Sequence, residues 1–247
     1  MKKNILFSAL SLITLWVVWI IAYFIVGNDY VLPSFWDTFA AVGKYLGSGA
    51  FWLAFGKTFL RTFLAFLFSL LLGILLAVLA RMRKWLRAFL APIISVLRTV
   101  PTMAVILILL LWTSPSVAPV IVSVLVLLPA VYAAALSSLD EVDTEYGEFV
   151  RVFRVDWKRK IFKLYLPLSA PPILKQSGAI FSMGLKITVS GEVLASTYKS
   201  LGGLMQSAKM FVELPQLVAL TLLTVLLGFL LEGACALAYK LIVRWRA

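Results

Sequence analysis

Arg98, Lys186 and Glu192 are charged residues inside long apolar stretches of this chain. A charge at the centre of a bilayer costs roughly 2.5–3.5 kcal/mol on insertion scales, so each of them indicates a role. Lys186 and Glu192 are separated by about 120° around a helix, which excludes a same-face ion pair. The sequence leaves several roles open. Glu192 can reach water at a helix end, Lys186 can form an ion pair between helices, and Arg98 can snorkel to the interface.

Small residues share one face of the apolar segment that carries Lys186 and Glu192. At 100° per residue they fall within about 60° of one another. They are Ser177, Gly184, Thr188, Gly191 and Ala195. Such a face allows a neighbouring helix to approach closely or leaves room for a narrow pathway. We therefore predict a set of pathway or intramembrane charge residues, namely Arg98, Gly184, Lys186, Thr188, Gly191 and Glu192.

The residue types needed for catalysis are scarce. The chain has no histidine, which removes the commonest general base and a usual zinc ligand. Its single cysteine, Cys235, cannot form an intrachain disulfide. No GxxxxGK[ST] phosphate-binding loop is present, so ATP hydrolysis by that route is excluded. We predict no catalytic residue, no metal and no cofactor, and a membrane-embedded enzyme is an alternative without support.

The composition is that of a membrane protein. The 247 residues have a mean hydropathy of +1.01 and only 14% charged residues, against about 25% in soluble domains. The net charge of +12 would suggest nucleic acid in a soluble protein. Here the basic residues cluster at the ends of apolar runs, so membrane topology explains them and we predict no nucleic-acid partner.

Six apolar runs are long enough to cross a bilayer, which needs about 20 helical residues. They lie at 5–26, 51–80, 88–113, 117–138, 172–195 and 215–242. Turn residues predict breaks at 114–116 and at Gly202-Gly203. We predict an all-α integral membrane protein with six transmembrane helices in one domain, 1–247. Residues 1–50 form the first span and an external segment, and residues 51–247 form the core.

The distribution of basic residues predicts the orientation. Basic residues concentrate at 2–3, 81–87, 151–175 and 240–246, and these segments fall on one side of a six-span chain. The positive-inside rule makes that side cytoplasmic, with both termini there. We predict a multi-pass protein of the plasma (inner) membrane. Its largest cytoplasmic loop runs from about 139 to 171.

This loop has an amphipathic pattern. Phe149, Val152 and Phe153 fall on one face at helical period, and basic residues fall on the other. Asp156 can cap a second short helix, which must end before Pro167. The pattern predicts two short helices on the membrane surface, joined by a tight turn. They can anchor to anionic lipid or dock a partner protein. A simple lipid anchor does not need the acidic residues at the head of the loop, which are Asp140, Glu141, Asp143, Glu145 and Glu148.

The loop resembles the conserved cytoplasmic EAA loop of ABC importer permeases. Aligned on Leu166-Pro167, the Glu of the motif falls on Glu148 and its Gly falls on Arg154, a departure at the turn. Further similarities cover about 51–247, most like the nitrate/sulfonate/taurine branch, which includes thiamine-precursor permeases. The similar segments are Thr58…Arg61…Gly73, Arg98-Thr99-Val100-Pro101-Thr102, Glu192 with Leu201-Gly202-Gly203-Leu204, and Val243-Arg244-Trp245-Arg246.

The resemblance implies a MetI-like type I importer permease fold and a definite set of partners. These are a second permease copy, often identical, two cytoplasmic ABC ATPase subunits, an external solute-binding protein and membrane lipid. It also implies that the loop couples to the ATPase, through Glu148, Phe149, Arg151, Val152, Phe153, Arg154, Asp156 and Trp157. A secondary transporter or ion channel is the remaining alternative, although such proteins often have internal repeats and we see no convincing one.

Overall fold

The computed structural model describes residues 2–153, 156 and 159–243, and this part of the chain is helical throughout. Short turns separate the helices, and a six-residue π-helix, Lys160–Tyr165, leads directly into α7. The helices are α1 (Lys2–Val26), α2 (Phe35–Leu46), α3 (Gly49–Met82), α4 (Lys84–Thr99), α5 (Thr102–Trp112), α6 (Ala118–Val152), α7 (Leu166–Leu194), α8 (Leu201–Met210) and α9 (Leu214–Ile242).

Helix α6 is the centre of the molecule, packed between α3 and α7. Its close approach to α3 depends on Gly73, where an added Cβ would lie 2.6 Å from Cγ1 of Val131. Small buried residues line the same side of α3, including Thr62, Ala65, Ser69 and Ala77. Small side chains allow transmembrane backbones to approach closely, which places α3 and α6 in tight contact.

Three helices have the length and hydropathy of a membrane span over Gly49–Met82, Ala118–Val150 and Leu214–Leu241. Helices α4 and α5 form a fourth span if the pair is counted as one, although they are bent by 93° relative to each other. The third predicted span is therefore not one straight helix, because the chain is extended at Val100 and Pro101 follows. Helix α1 is apolar over Ile13–Val26.

The prediction of two short loop helices is wrong. Helix α6 continues without a break from the apolar core to Val152. The second segment does not end before Pro167 but continues through the π-helix into α7. Pro167 is the second residue of α7 and directly follows the π-helical turn. Among the residues described, Asp156 precedes the π-helix, and its carbonyl accepts from the N–H of Lys160.

The predicted break at Gly202-Gly203 is also wrong, whereas that at 114–116 is a turn. Gly202 and Gly203 belong to the first turn of α8, whose N-cap is Ser200. The chain instead reverses just before this helix, where Ser196 and Lys199 have φ angles of 49° and 50°. Left-handed conformations of this kind are uncommon in residues other than glycine. Within this turn, the N–H of Thr197 donates to the carbonyl oxygen of Glu192 and its hydroxyl donates to the carbonyl oxygen of Pro115.

Candidate functional site

Glu192, near the C-terminus of α7, is fully buried in a hydrogen-bonded site. Nη1 of Arg61 donates to Oε1 of Glu192 at 2.8 Å, and the two groups form an ion pair. The hydroxyl of Thr58 donates to Oε2 at 2.8 Å, and the N–H of Gly202 donates to the same oxygen at 3.2 Å. Thr58 and Arg61 lie three residues apart on α3, so both face α7. The carboxylate is satisfied by three donors from two other helices.

The N-terminus of α8 completes this Glu192 network. The N–H of Leu201 donates to the hydroxyl of Thr58 at 3.0 Å, and the N–H of Gly203 donates to the hydroxyl of Ser200 at 2.9 Å. The first N–H groups of a helix have no partner within the helix and favour a negative charge nearby. Glu192 supplies that charge. The network therefore joins α3, α7 and α8 at one end of the bundle.

Of the roles that the sequence left open for Glu192, reaching water at a helix end is not the one that the structure shows. Its relative exposure is 0%, and that of the Arg61 side chain is 14%. In the sequence, only the resemblance to ABC importer permeases pointed to Thr58 and Arg61. The sequence does contain a signal for the Arg61–Glu192 pair. An arginine in an apolar run, three residues after a threonine, needs a buried acidic partner elsewhere in the chain.

The small residues of α7 pack against α6 inside the same chain. An added Cβ at Gly184 would lie 2.9 Å from Cδ1 of Leu127, and one at Gly191 would lie 3.0 Å from Cβ of Pro119. Thr188 shares a 2.9 Å hydrogen bond with Ser123. Of the two alternatives for this face, the structure shows close helix contact.

Lys186 lies on the opposite, exposed side of α7. It borders a cavity of about 140 Å³ that Glu232 of α9 and the hydroxyl residues Ser182 and Thr224 also line. Within the described part of the chain, no carboxylate lies within 4.0 Å of Lys186. The ion pair that the sequence allowed for Lys186 is therefore not formed in this protomer.

Arg98 is exposed near the C-terminus of α4 and lines a cleft between α4 and α6. One of its Nη atoms lies 3.5 Å from the carbonyl oxygen of Pro129. The bend between α4 and α5 follows directly, so Arg98 lies beside the broken part of this segment.

An exposed apolar surface lies at the C-terminus of α6 and is formed by Phe149, Val152 and Phe153, which we call the loop face. These side chains are 54%, 76% and 66% exposed, and the two rings lie 4.4 Å apart between centroids. Val150, on the other side of the helix, is buried in the core. Glu148 and Asp156 are exposed nearby. Of the other predicted loop residues, Arg154, Trp157 and the side chain of Arg151 lie outside the described residues.

Ion pairs hold the base of the loop face against α3 and α4. Asp143 of α6 pairs with Arg81 and lies 3.8 Å from Nζ of Lys160, and it accepts a hydrogen bond from the hydroxyl of Tyr165. One helical turn earlier, Asp140 accepts from both Nη atoms of Arg87 at 2.9 and 3.2 Å. Two of the acidic residues at the head of the loop are therefore structural, linking α6 to its neighbours.

The profile of one family, described as "Binding-protein-dependent transport system inner membrane component", matches residues 69–244. The chain belongs to this family. The match covers the loop face, Arg98, Lys186 and Glu192, whereas Thr58 and Arg61 precede it.

Known proteins are similar to this family member in sequence and in fold. A Bacillus subtilis (strain 168) protein, SsuC, whose name assigns it to aliphatic sulfonate transport, is 27% identical over 167 residues. That alignment covers 64% of this chain and 57% of the relative's length, so the match spans little more than half of it.

Two solved structures share the fold of this permease-family chain at lower identity. An amino acid ABC transporter, crystallised with histidines, has a TM-score of 0.63 at 18% identity and covers 77% of this chain and 91% of its own. The methionine ABC transporter MetNI, in an inward-facing form, has a TM-score of 0.61 at 17% identity, with coverage of 77% and 93%. The predicted MetI-like, all-helical fold is confirmed as a likeness of overall fold.

Proposed function

We propose that this chain is the membrane-spanning permease subunit of an ATP-driven importer and forms the pathway for a small organic solute. An external binding protein delivers the solute, and two cytoplasmic ABC ATPase subunits drive the cycle. A second, identical copy completes the pathway. Membership of a binding-protein-dependent transport family supports this proposal. So do the neighbouring folds, whose titles name ABC transporters.

The observation that carries the proposal is the loop face. Exposed aromatic and apolar side chains at a charged helix end are expensive in water and suit a partner's groove. The surface is held by Asp140 and Asp143, which are paired to α3 and α4. A force that a bound partner exerts on Phe149 or Phe153 would therefore be transmitted along α6 to the centre of the molecule.

The proposal includes six spans with both termini in the cytoplasm. The basic segments at 81–87 and 159–163 then share one side with the loop face, as the positive-inside rule requires. Within this arrangement Arg98 and Lys186 are the charges that face the pathway. The small residues Gly184, Thr188 and Gly191, together with Glu192, hold the pathway helix α7 against α6 and α3.

We expect Phe153→Ala, alone or with Glu148→Lys, to weaken retention of the ATPase by about tenfold or more. Truncating an aromatic hot spot costs roughly 2 kcal/mol, and every 1.4 kcal/mol is tenfold in affinity. The permease is co-expressed with the ATPase of its own operon and purified in mild detergent, and the bound ATPase is quantified. Phe211→Ala is the matched control, because Phe211 is 77% exposed beside α8 at the opposite end of the molecule.

Two outcomes would contradict the proposal. If Phe153→Ala retained the ATPase as well as Phe211→Ala does, the loop face would not be the docking surface. Solute uptake that proceeds without ATP, driven by an ion gradient, would instead support a secondary transporter.

Topology has its own test by cysteine labelling in a Cys235→Ala background. Ser207→Cys, on exposed α8, should react with a membrane-impermeant reagent from outside, and Thr144→Cys should react only from inside. Labelling of Ser207→Cys only from the cytoplasm would refute the proposed orientation.

A further inference from the structure

A cleft of about 580 Å³ separates α4 from α6, and its wall is mixed, with charged and hydroxyl side chains among apolar ones. Arg87, Ser95 and Arg98 line it from α4, and Tyr132, Ser137 and Thr144 line it from α6. Its volume lies within the range of roughly 300–1,000 Å³ that is usual for small-molecule sites. The cleft is therefore large enough for a small organic solute.

The sequence of α4 directs one face to this cleft and another away from it. At 100° per residue, Arg87, Ser95 and Arg98 fall within about 80° of one another. The exposed apolar residues of α4 lie on the opposite side of the helix and are Trp85, Phe89, Ile93 and Val96. This division suits a helix with lipid on one side and water on the other.

The charges in the cleft are compensated unequally. Arg87 is neutralised by Asp140 through two hydrogen bonds. Arg98 contacts the carbonyl oxygen of Pro129 at 3.5 Å, and no carboxylate of the described residues lies within 4.0 Å of its guanidinium. The acidic residues of the cleft, Asp140 and Glu141, follow Pro129 on α6 by eleven and twelve residues, about 16–18 Å along a helix. The end of the cleft at Arg98 is therefore electropositive.

We infer that Arg98 binds the anionic group of a small organic anion, such as a sulfonate, as it passes through this cleft. A guanidinium presents a planar fork of donors that matches carboxylate, sulfonate and phosphate oxygens. The inference rests on the proposed function, because it makes the cleft part of the permease's pathway. An anionic lipid headgroup offers the same chemistry, so the test must separate the two sources.

The test compares two small thiol reagents of opposite charge at Ser95→Cys, in a Cys235→Ala background. One is the sulfonate reagent sulfonatoethyl methanethiosulfonate, and the other is its trimethylammonium analogue. Ser95 lies three residues before Arg98 on the cleft face, about 5–6 Å away between Cβ atoms. The ratio of the two reaction rates therefore reports the charge that an anion meets in the cleft.

With Arg98→Gln, the preference for the sulfonate reagent should fall about tenfold. Lys84→Gln is the matched control, since it removes an exposed cation of the same helix that does not line the cleft. It should change the ratio less than twofold. Equal effects of the two substitutions, or an unchanged ratio in Arg98→Gln, would overturn the inference.

The same rates are measured in nanodiscs of phosphatidylcholine and of phosphatidylglycerol. An effect of Arg98→Gln in both lipids supports a solute site. Loss of the effect in phosphatidylglycerol alone would show that an anionic lipid occupies Arg98 and would overturn the assignment to solute. The assay needs neither ATPase nor transport, so the inference about Arg98 can fail while the ATPase still binds the permease. If Arg98→Gln changes the rate ratio as expected but the permease does not bind the ATPase, only the proposed function is contradicted.

Discussion

Arg61→Met is expected to destabilise the folded permease by roughly 3–5 kcal/mol. Removing one partner of a buried ion pair leaves the other charge without compensation, and penalties of this size are typical. Here the abandoned group is Glu192, which has no exposed surface. Thr58 and Gly202 would still donate to it, but neither carries a charge. The measurement is the thermal unfolding midpoint of the purified protein, followed by tryptophan fluorescence.

The double substitution Arg61→Met with Glu192→Gln should recover much of this loss. The glutamine is uncharged, and its carbonyl oxygen can still accept from Thr58 and Gly202. Lys57→Met is the control for removing a cation from α3, because Lys57 is exposed. If Arg61→Met were as harmless as Lys57→Met, the Arg61–Glu192 pair would contribute nothing to stability. If the double variant were no better than the single one, the uncompensated charge would not be the cause.

Gly202→Ala is expected to displace α8 from α7. The added Cβ would lie 2.5 Å from the backbone nitrogen of Val193 and 2.6 Å from the carbonyl oxygen of Val189. Contacts with backbone cannot be relieved by a rotamer change. Overpacking costs typically 1–3 kcal/mol, and we expect about 3 kcal/mol here. The shift would also break the bond from Gly202 to Glu192.

Thermal unfolding and limited proteolysis check this prediction. The variant should unfold at a lower temperature and should be cleaved faster between 196 and 200, the turn that the Glu192 network holds. Gly233→Ala in α9 is the control, since an added Cβ there meets nothing within 4 Å. That substitution should be neutral or slightly stabilising, because alanine favours helix by up to about 1 kcal/mol. Equal behaviour of the two variants would show that α8 has room to adjust.

The features that the sequence by itself determined are local. Helices α6 and α9 begin within about a residue of the predicted positions, because long apolar runs and turn residues act over short distances along the chain. The apolar face of the loop was predictable for the same reason. Phe149, Val152 and Phe153 share a face by helical period, and in the structure that face is exposed.

Local patterns could not locate the ends of elements that depend on their neighbours. Proline rules predicted a helix end before Pro167, but the π-helical turn ahead of it lets the chain continue into α7. The apolar run at 88–113 contained no signal for the size of its bend beyond Pro101. Its angle follows from how α4 and α5 pack on the rest of the molecule.

Only the tertiary structure decided which charges are compensated. Arg61 and Glu192 are 131 residues apart in sequence, and their pairing requires α3 and α7 to be neighbours. From the sequence, the small-residue face of α7 is compatible with either a pathway or close packing. In the structure, α6 packs against that face. Arg98 and Lys186 form no ion pair among the described residues because no helix brings a carboxylate within 4.0 Å of either side chain. Residue type and spacing specify which groups need partners, whereas helix packing specifies which of them find one.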